Sequence, residues 1–224
     1  MSVNFWQEKI VPYSWYPKNT TEHWSGSDQF PAKNSTWQTN IAYKLSNEGF
    51  RTYNFADVNN QKINVALGCS HTMGIGISHE MTWPYHIESQ TGIKTLNLGL
   101  GEGSPDTVAR ILTNVCGLFD IDTVYILWPS ANRFEIYQKN SVRSIIPTAA
   151  ELLHVWYIDD CNSYQRLCKN KLIVHNLQKS GNFKLKEIES DSPWAIPGDL
   201  ARDQLHNGPK SNLNLANLFL TGIK

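Results

Sequence analysis

Downstream of residue 62 the apolar positions fall into short runs separated by helical patterns. Ile63-Asn64-Val65-Ala66-Leu67 is a strand candidate that stops at Gly68. Trp83-Pro84 suits a first helical turn and Gly92 suits a helix end, so a helix is predicted between them. Lys94 to Leu98 reads as a second strand. Val108, Ile111, Leu112 and Val115 share one face of a helix predicted over Asp106 to Leu118. Thr123 to Trp128 is apolar almost throughout, as a strand covered on both faces should be. A long helix is predicted over 148–168, and a fourth strand over Lys171-Leu172-Ile173-Val174-His175. A fifth strand follows over Lys184 to Ile188, then a short amphipathic helix over Leu213 to Leu220. This alternation predicts an α/β fold: a mostly parallel sheet, helices on both faces, and ligands at the carboxyl ends of the strands.

Residues 1–60 follow a different pattern and are read as an extension packed on a main domain spanning 61–224. Ile41, Tyr43 and Leu45 alternate with polar residues, Asn47-Glu48-Gly49 reads as a turn, and Phe50 to Phe55 follows, so a β-hairpin is predicted there. Trp6, Trp15, Trp24 and Trp37, half of the eight tryptophans, fall in this region. Such rings can stack on sugars, although packing is their commoner use.

Composition narrows the classes. Of 224 residues, 41% are hydrophobic and 18% charged, enough for a sizeable core and unlike a disordered chain. Lys+Arg and Asp+Glu are both 20, so no basic footprint for nucleic acid or a membrane surface is expected. The start, Met1-Ser2-Val3-Asn4-Phe5-Trp6, lacks a basic residue ahead of an apolar stretch and is read as no signal peptide; no segment has transmembrane length. Cys69, Cys116, Cys161 and Cys168 form no C-x-x-C pair, so neither a zinc site nor a redox motif is expected. Reduced thiols and a cytoplasmic setting follow as expectations.

Two distant segments carry the candidate chemistry. Leu67-Gly68-Cys69-Ser70-His71-Thr72 places a serine at the end of the first strand, among small residues. Ala201-Arg202-Asp203-Gln204-Leu205-His206-Asn207-Gly208-Pro209 offers a carboxylate and an imidazole three residues apart, ahead of a turn. A serine hydroxyl becomes a nucleophile when a base takes its proton, and a third group must orient that base. Each segment has an ordinary reading as well: a serine after a strand is commonly a helix cap, and D-x-x-H is commonly a solvated pair.

Taken together, the segments resemble the SGNH hydrolases, the GDSL esterase/lipase superfamily. Gly68-Cys69-Ser70 stands where that family has Gly-Asp-Ser, with Cys69 in place of the aspartate. Asn97-Leu98-Gly99-Leu100-Gly101-Glu102-Gly103-Ser104 resembles its second block, and Asp203 to His206 its last. The resemblance covers roughly residues 62–220 and implies a three-layer α/β/α flavodoxin-like fold. It implies Ser70 as nucleophile, His206 as base and Asp203 as its orienter. It also implies an oxyanion hole from the N–H groups of Ser70 and a second-block glycine, Gly103 or alternatively Gly101. The family's third block, Gly-x-Asn-Asp, is altered here to Leu127-Trp128-Pro129-Ser130-Ala131-Asn132-Arg133-Phe134-Glu135. Asn132 is the candidate third donor, with Ser130 as substitute; loss of one such donor slows a reaction by about 100- to 1000-fold.

His71 and Trp128 are candidates to line the substrate pocket, and Arg133 to bind a substrate anion. The ordinary alternative for Arg133 is an ion pair with Glu135 or Glu102. A metal cluster of His71, His79, Asp203 and His206 matches no familiar spacing, so no metal or cofactor is expected. The leading expectation is hydrolysis of small acyl esters, with O-acetyl groups on a carbohydrate as substrate. Acyl transfer on the same fold and a non-catalytic glycan-binding or structural module are the alternatives.

Overall fold

The structure, a computed structural model, describes residues 16–22, 41–138, 141–146, 160–189 and 198–222. Two short strands, β1 (Thr21–Glu22) and β2 (Tyr43–Lys44), pair antiparallel ahead of the main sheet. That sheet is built from β3 (Lys62–Leu67), β4 (Thr95–Asn97), β5 (Asp120–Trp128) and β8 (Lys184–Glu189) in the order β4-β3-β5-β8. All three pairings are parallel. An antiparallel hairpin, β6 (Phe134–Gln138) and β7 (Ser141–Ile145), branches off after β5.

Alternation along the strands divides the core into two layers. Val65, Leu67, Val124 and Ile126 face helices α3 (Pro105–Val115) and α4 (Asp160–Gly181), which supply Val108, Ile111, Leu112, Leu167 and Val174. Ala66, Tyr125 and Leu127 face α2 (Trp83–Thr91) and α5 (Pro209–Thr221), through Trp83, Ile87, Leu215, Ala216 and Phe219. The result is the expected three-layer α/β/α arrangement. A one-turn helix, α1 (Ser70–Met73), follows β3.

Local sequence sets the helix ends. The Thr82 hydroxyl accepts from the Tyr85 N–H at the start of α2, and Gly92 ends it at φ 69°. Ser104 and Thr107 form a reciprocal capping box on α3, with Pro105 in the first turn.

Two predicted elements are corrected. Lys171 to His175 is helical, part of a single helix that runs on to Gly181. Ser163, Leu167, Asn170 and Val174 are its buried positions, a helical period, while Leu172 is 62% exposed and cannot belong to a covered strand. Of the helix predicted over 148–168, residues 148–159 lie outside the described residues, and 160–168 are helical. The hairpin predicted from Ile41 to Phe55 does not form: β2 pairs with β1, and Phe55–Asp57 is a 3₁₀ turn. Its Phe50 and Phe55, with Val58 just beyond, are drawn into the main core instead and join the α3 layer.

Candidate active site

Ser70 begins α1, one turn beyond the carboxyl end of β3. Gly68 makes that turn possible: at φ 156°, a Cβ there would lie 2.1 Å from Thr72 Oγ1 and 2.7 Å from the Leu127 carbonyl. Gly74 closes α1 in the left-handed region at φ 81°. Beneath it lies Arg51, a residue that no sequence motif marks. The Arg51 guanidinium is buried and donates to the carbonyls of Met73 (3.3 Å), Gly74 (2.6 Å) and Ile77 (3.0 Å). The Gly76 N–H donates to Tyr43 Oη (2.9 Å), whose ring lies under the same guanidinium. Burial lowers the Arg51 pKa to about 10, against the opposing influence of Tyr43 and Glu80. The only sequence signal was an isolated cation between Phe50 and Tyr53.

The structure brings Ser70, Asp203 and His206 together. His206 Nε2 lies 2.8 Å from Ser70 Oγ, and Nδ1 lies 2.5 Å from Asp203 Oδ2. Asp203 Oδ1 accepts the backbone N–H groups of Leu205 (2.9 Å) and His206 (3.0 Å). The loop is closed by Ala201 N–H to the His206 carbonyl (2.7 Å) and by Gln204 N–H to the Ala201 carbonyl (3.0 Å). Gln204 sits at φ 60°, a left-handed conformation imposed by this closure. Arg202 N–H donates to the Gly76 carbonyl (3.2 Å), which ties the loop to the segment that follows Ser70. Burial pushes the Asp203 pKa up, but hydrogen bonds from the His206 ring and from the two backbone N–H groups outweigh it and hold the carboxylate below its ordinary range.

His71 is buried, with its ring centroid 4.7 Å from that of His206. Its pKa falls to about 3, first through burial and then through the charges of His206 and Arg133, so it is neutral at ordinary pH. It backs the His206 ring.

The second block forms a turn against the Ser70 segment. The Asn97 side chain donates to the Thr72 carbonyl (2.9 Å) and accepts from Gly99 N–H (3.1 Å), stapling β4 to α1. Gly103 packs beside Gly68 and Cys69. Its N–H, the first choice for an oxyanion donor, is already given to the Leu100 carbonyl (3.0 Å). The N–H groups of Ser70, Gly101 and Glu102 have no acceptor among the described residues. Glu102 holds φ 64°, and Ser144 Oγ from β7 donates to its carbonyl (2.5 Å). Tyr16, from the extension, covers this turn: a Cβ on Gly101 would lie 2.2 Å from its hydroxyl.

The segment after β5 departs most from expectation. Asn132 is exposed, and its Oδ1 accepts from Ser130 Oγ (2.9 Å), so both side chains bond to each other. Trp128 is 2% exposed, and its indole N–H donates to Glu187 (3.1 Å); this ring belongs to the core and not to a substrate pocket. Glu135, one of the two partners considered for Arg133, forms a buried pair with Arg110 (2.8 Å) and also accepts from Thr107 (2.6 Å). Among the described residues no group of three or more His, Cys, Asp and Glu side chains could hold a metal ion. No helix among them is long and apolar enough to cross a membrane.

No family model and no curated protein matches the chain. Among solved structures, it is similar to a protein of Desulfitobacterium hafniense DCB-2 assigned to the lipolytic G-D-S-L family. That pair shares 13% identity over 72% of this chain and 98% of the other, with a TM-score of 0.38. It is also similar to a carbohydrate acetylesterase from Sinorhizobium meliloti, at 10% identity over 70% and 95% of the two chains and a TM-score of 0.35. Both likenesses are distant.

Proposed function

We propose that this protein is a serine esterase of the SGNH type, acting on small acyl esters, with O-acetyl groups on a carbohydrate as the substrate class. The observation that carries this reading is the continuous chain from Ser70 Oγ through the His206 ring to Asp203, with contacts of 2.8 and 2.5 Å. In the first step Ser70 Oγ bonds to the ester carbonyl carbon while its proton passes to His206 Nε2. The negative oxygen of the tetrahedral intermediate is met by the uncommitted N–H groups of Ser70 and of the Gly101-Glu102 turn. Collapse breaks the bond to the alcohol, which leaves with the proton held on His206. Water then adds to the acyl-serine, gives a proton to His206, and the acid departs as Ser70 recovers its proton. Asp203 holds the imidazole in the tautomer that presents Nε2 to the serine.

The test is turnover of p-nitrophenyl acetate by Ser70→Ala. A loss on the order of 10⁶-fold in kcat is expected, as for removal of a triad nucleophile. Unchanged turnover overturns the proposal.

A further inference from the structure

The hairpin after β5 is fastened to the start of α3. Glu135 of β6 is buried, accepts from Thr107 Oγ1 (2.6 Å) and pairs with the Arg110 guanidinium (2.8 Å), both on α3. Its own N–H donates to Asp106 Oδ2 (3.1 Å), and the other oxygen of Asp106 accepts from Asn170 of α4 (2.8 Å). Ser144 of β7 stands directly across from Glu135 in the register of the two strands, so both side chains leave the hairpin on one face.

Ser144 is buried, and its hydroxyl donates to the Glu102 carbonyl (2.5 Å), two residues ahead of the Ser104 cap of α3. The Glu102 carbonyl and the Gly103 N–H belong to one planar peptide unit. That N–H is given to the Leu100 carbonyl (3.0 Å), so the unit is gripped from both sides. Glu102 holds φ 64°, a left-handed conformation that a residue other than glycine keeps only where its surroundings impose it. With the following peptide fixed, the backbone angles of Glu102 decide where its own N–H points. The N–H groups of Gly101 and Glu102 are those without an acceptor among the described residues.

We infer that Ser144 is a positioning residue: from the hairpin it holds the turn 100–103 in the conformation that aims the Gly101 and Glu102 N–H groups at the oxyanion. This rests on the esterase reading and deepens it, by making the rate depend on a side chain outside the triad.

The test uses Ser144→Ala and Ser144→Thr with p-nitrophenyl acetate as substrate and phenylboronic acid as inhibitor. The boronic acid forms a tetrahedral adduct on a serine oxygen and so calls on the oxyanion donors. Turnover is expressed per site titrated by a fluorophosphonate, so that unfolded chain does not count. Ser144→Ala should lower kcat about tenfold, a part of the 100- to 1000-fold that losing a donor outright costs. KM should stay within about twofold and the pH profile should not move, because the lost interaction is made in the transition state and the proton relay is intact. The inhibition constant of phenylboronic acid should rise with the fall in kcat. Ser144→Thr keeps the hydroxyl and should return both values to near wild type. An unchanged kcat in Ser144→Ala overturns the positioning role, as does a fall in kcat that leaves the inhibition constant unmoved or that Ser144→Thr shares. Wild-type turnover that survives Ser70→Ala overturns the esterase reading; turnover that needs Ser70 and ignores Ser144 overturns the positioning role alone.

Discussion

In the loop 199–208 the Asp203 carboxylate and the His206 ring are both held in place, whereas in the loop 129–133, past β5, the polar side chains of Ser130 and Asn132 are tied to each other. Asp203 accepts three hydrogen bonds, two of them from backbone. The loop carrying it is closed on itself and on Gly76. Past β5, Asn132 and Ser130 form a local pair, and Arg133 makes no ion pair among the described residues. The Asp203–His206 side of the site is thus fixed by short-range contacts that a D-x-x-H spacing dictates. The oxyanion side proposed here would be assembled from the backbone of a turn, and backbone donors follow from conformation, with little regard to residue type.

The sharpest way to break this contrast is Asp203→Asn. With geometry kept and the imidazole tautomer lost, kcat on p-nitrophenyl acetate should fall about 10⁴-fold; a change under tenfold would mean that the rigid loop has no catalytic consequence. A smaller effect comes from His71. Its value in the fold, about 3, lies below the ordinary 6.5, so the unfolded chain takes up the proton first as pH falls. Stability is therefore full above about pH 6.5 and lost progressively toward pH 3, with a slope of about 1.4 kcal/mol per pH unit for one proton. Urea unfolding at several pH values should show His71→Gln losing less stability over that window than wild type. The smallest effect is expected from Asn132→Ala, under about threefold in kcat. A loss of 100- to 1000-fold would identify Asn132 as an oxyanion donor and erase the difference between the two loops.

The elements most legible in the sequence were those with both a period and a punctuation mark. The strand ending at Gly68 and the helix from Trp83 to Gly92 were set by residues whose backbone preferences agree with their packing. The run Leu172-Ile173-Val174 misled because its β-branched residues favour a strand locally, while the helical period is visible only across Ser163, Leu167, Asn170 and Val174. Ser70, Asp203 and His206 could be named because chemistry restricts their residue types. The engagement of the Gly103 N–H with the Leu100 carbonyl was not legible, because it belongs to a turn in which Glu102 holds φ 64°. Arg51 and Tyr16 were invisible because they act through contacts between segments far apart in the chain.

The buried Arg51 guanidinium has a consequence for how this molecule can be divided. It gathers the carbonyls at the end of α1 from a position ahead of the first main strand, with Tyr43 beside it. A chain trimmed to the four-stranded sheet and its helices would lose Phe50, Phe55 and Val58 from the α3 layer and, with Arg51, the floor under Ser70. The sheet and the site are therefore not separable modules: residues 41–51 must accompany Ser70 into any shortened or recombined descendant of this chain.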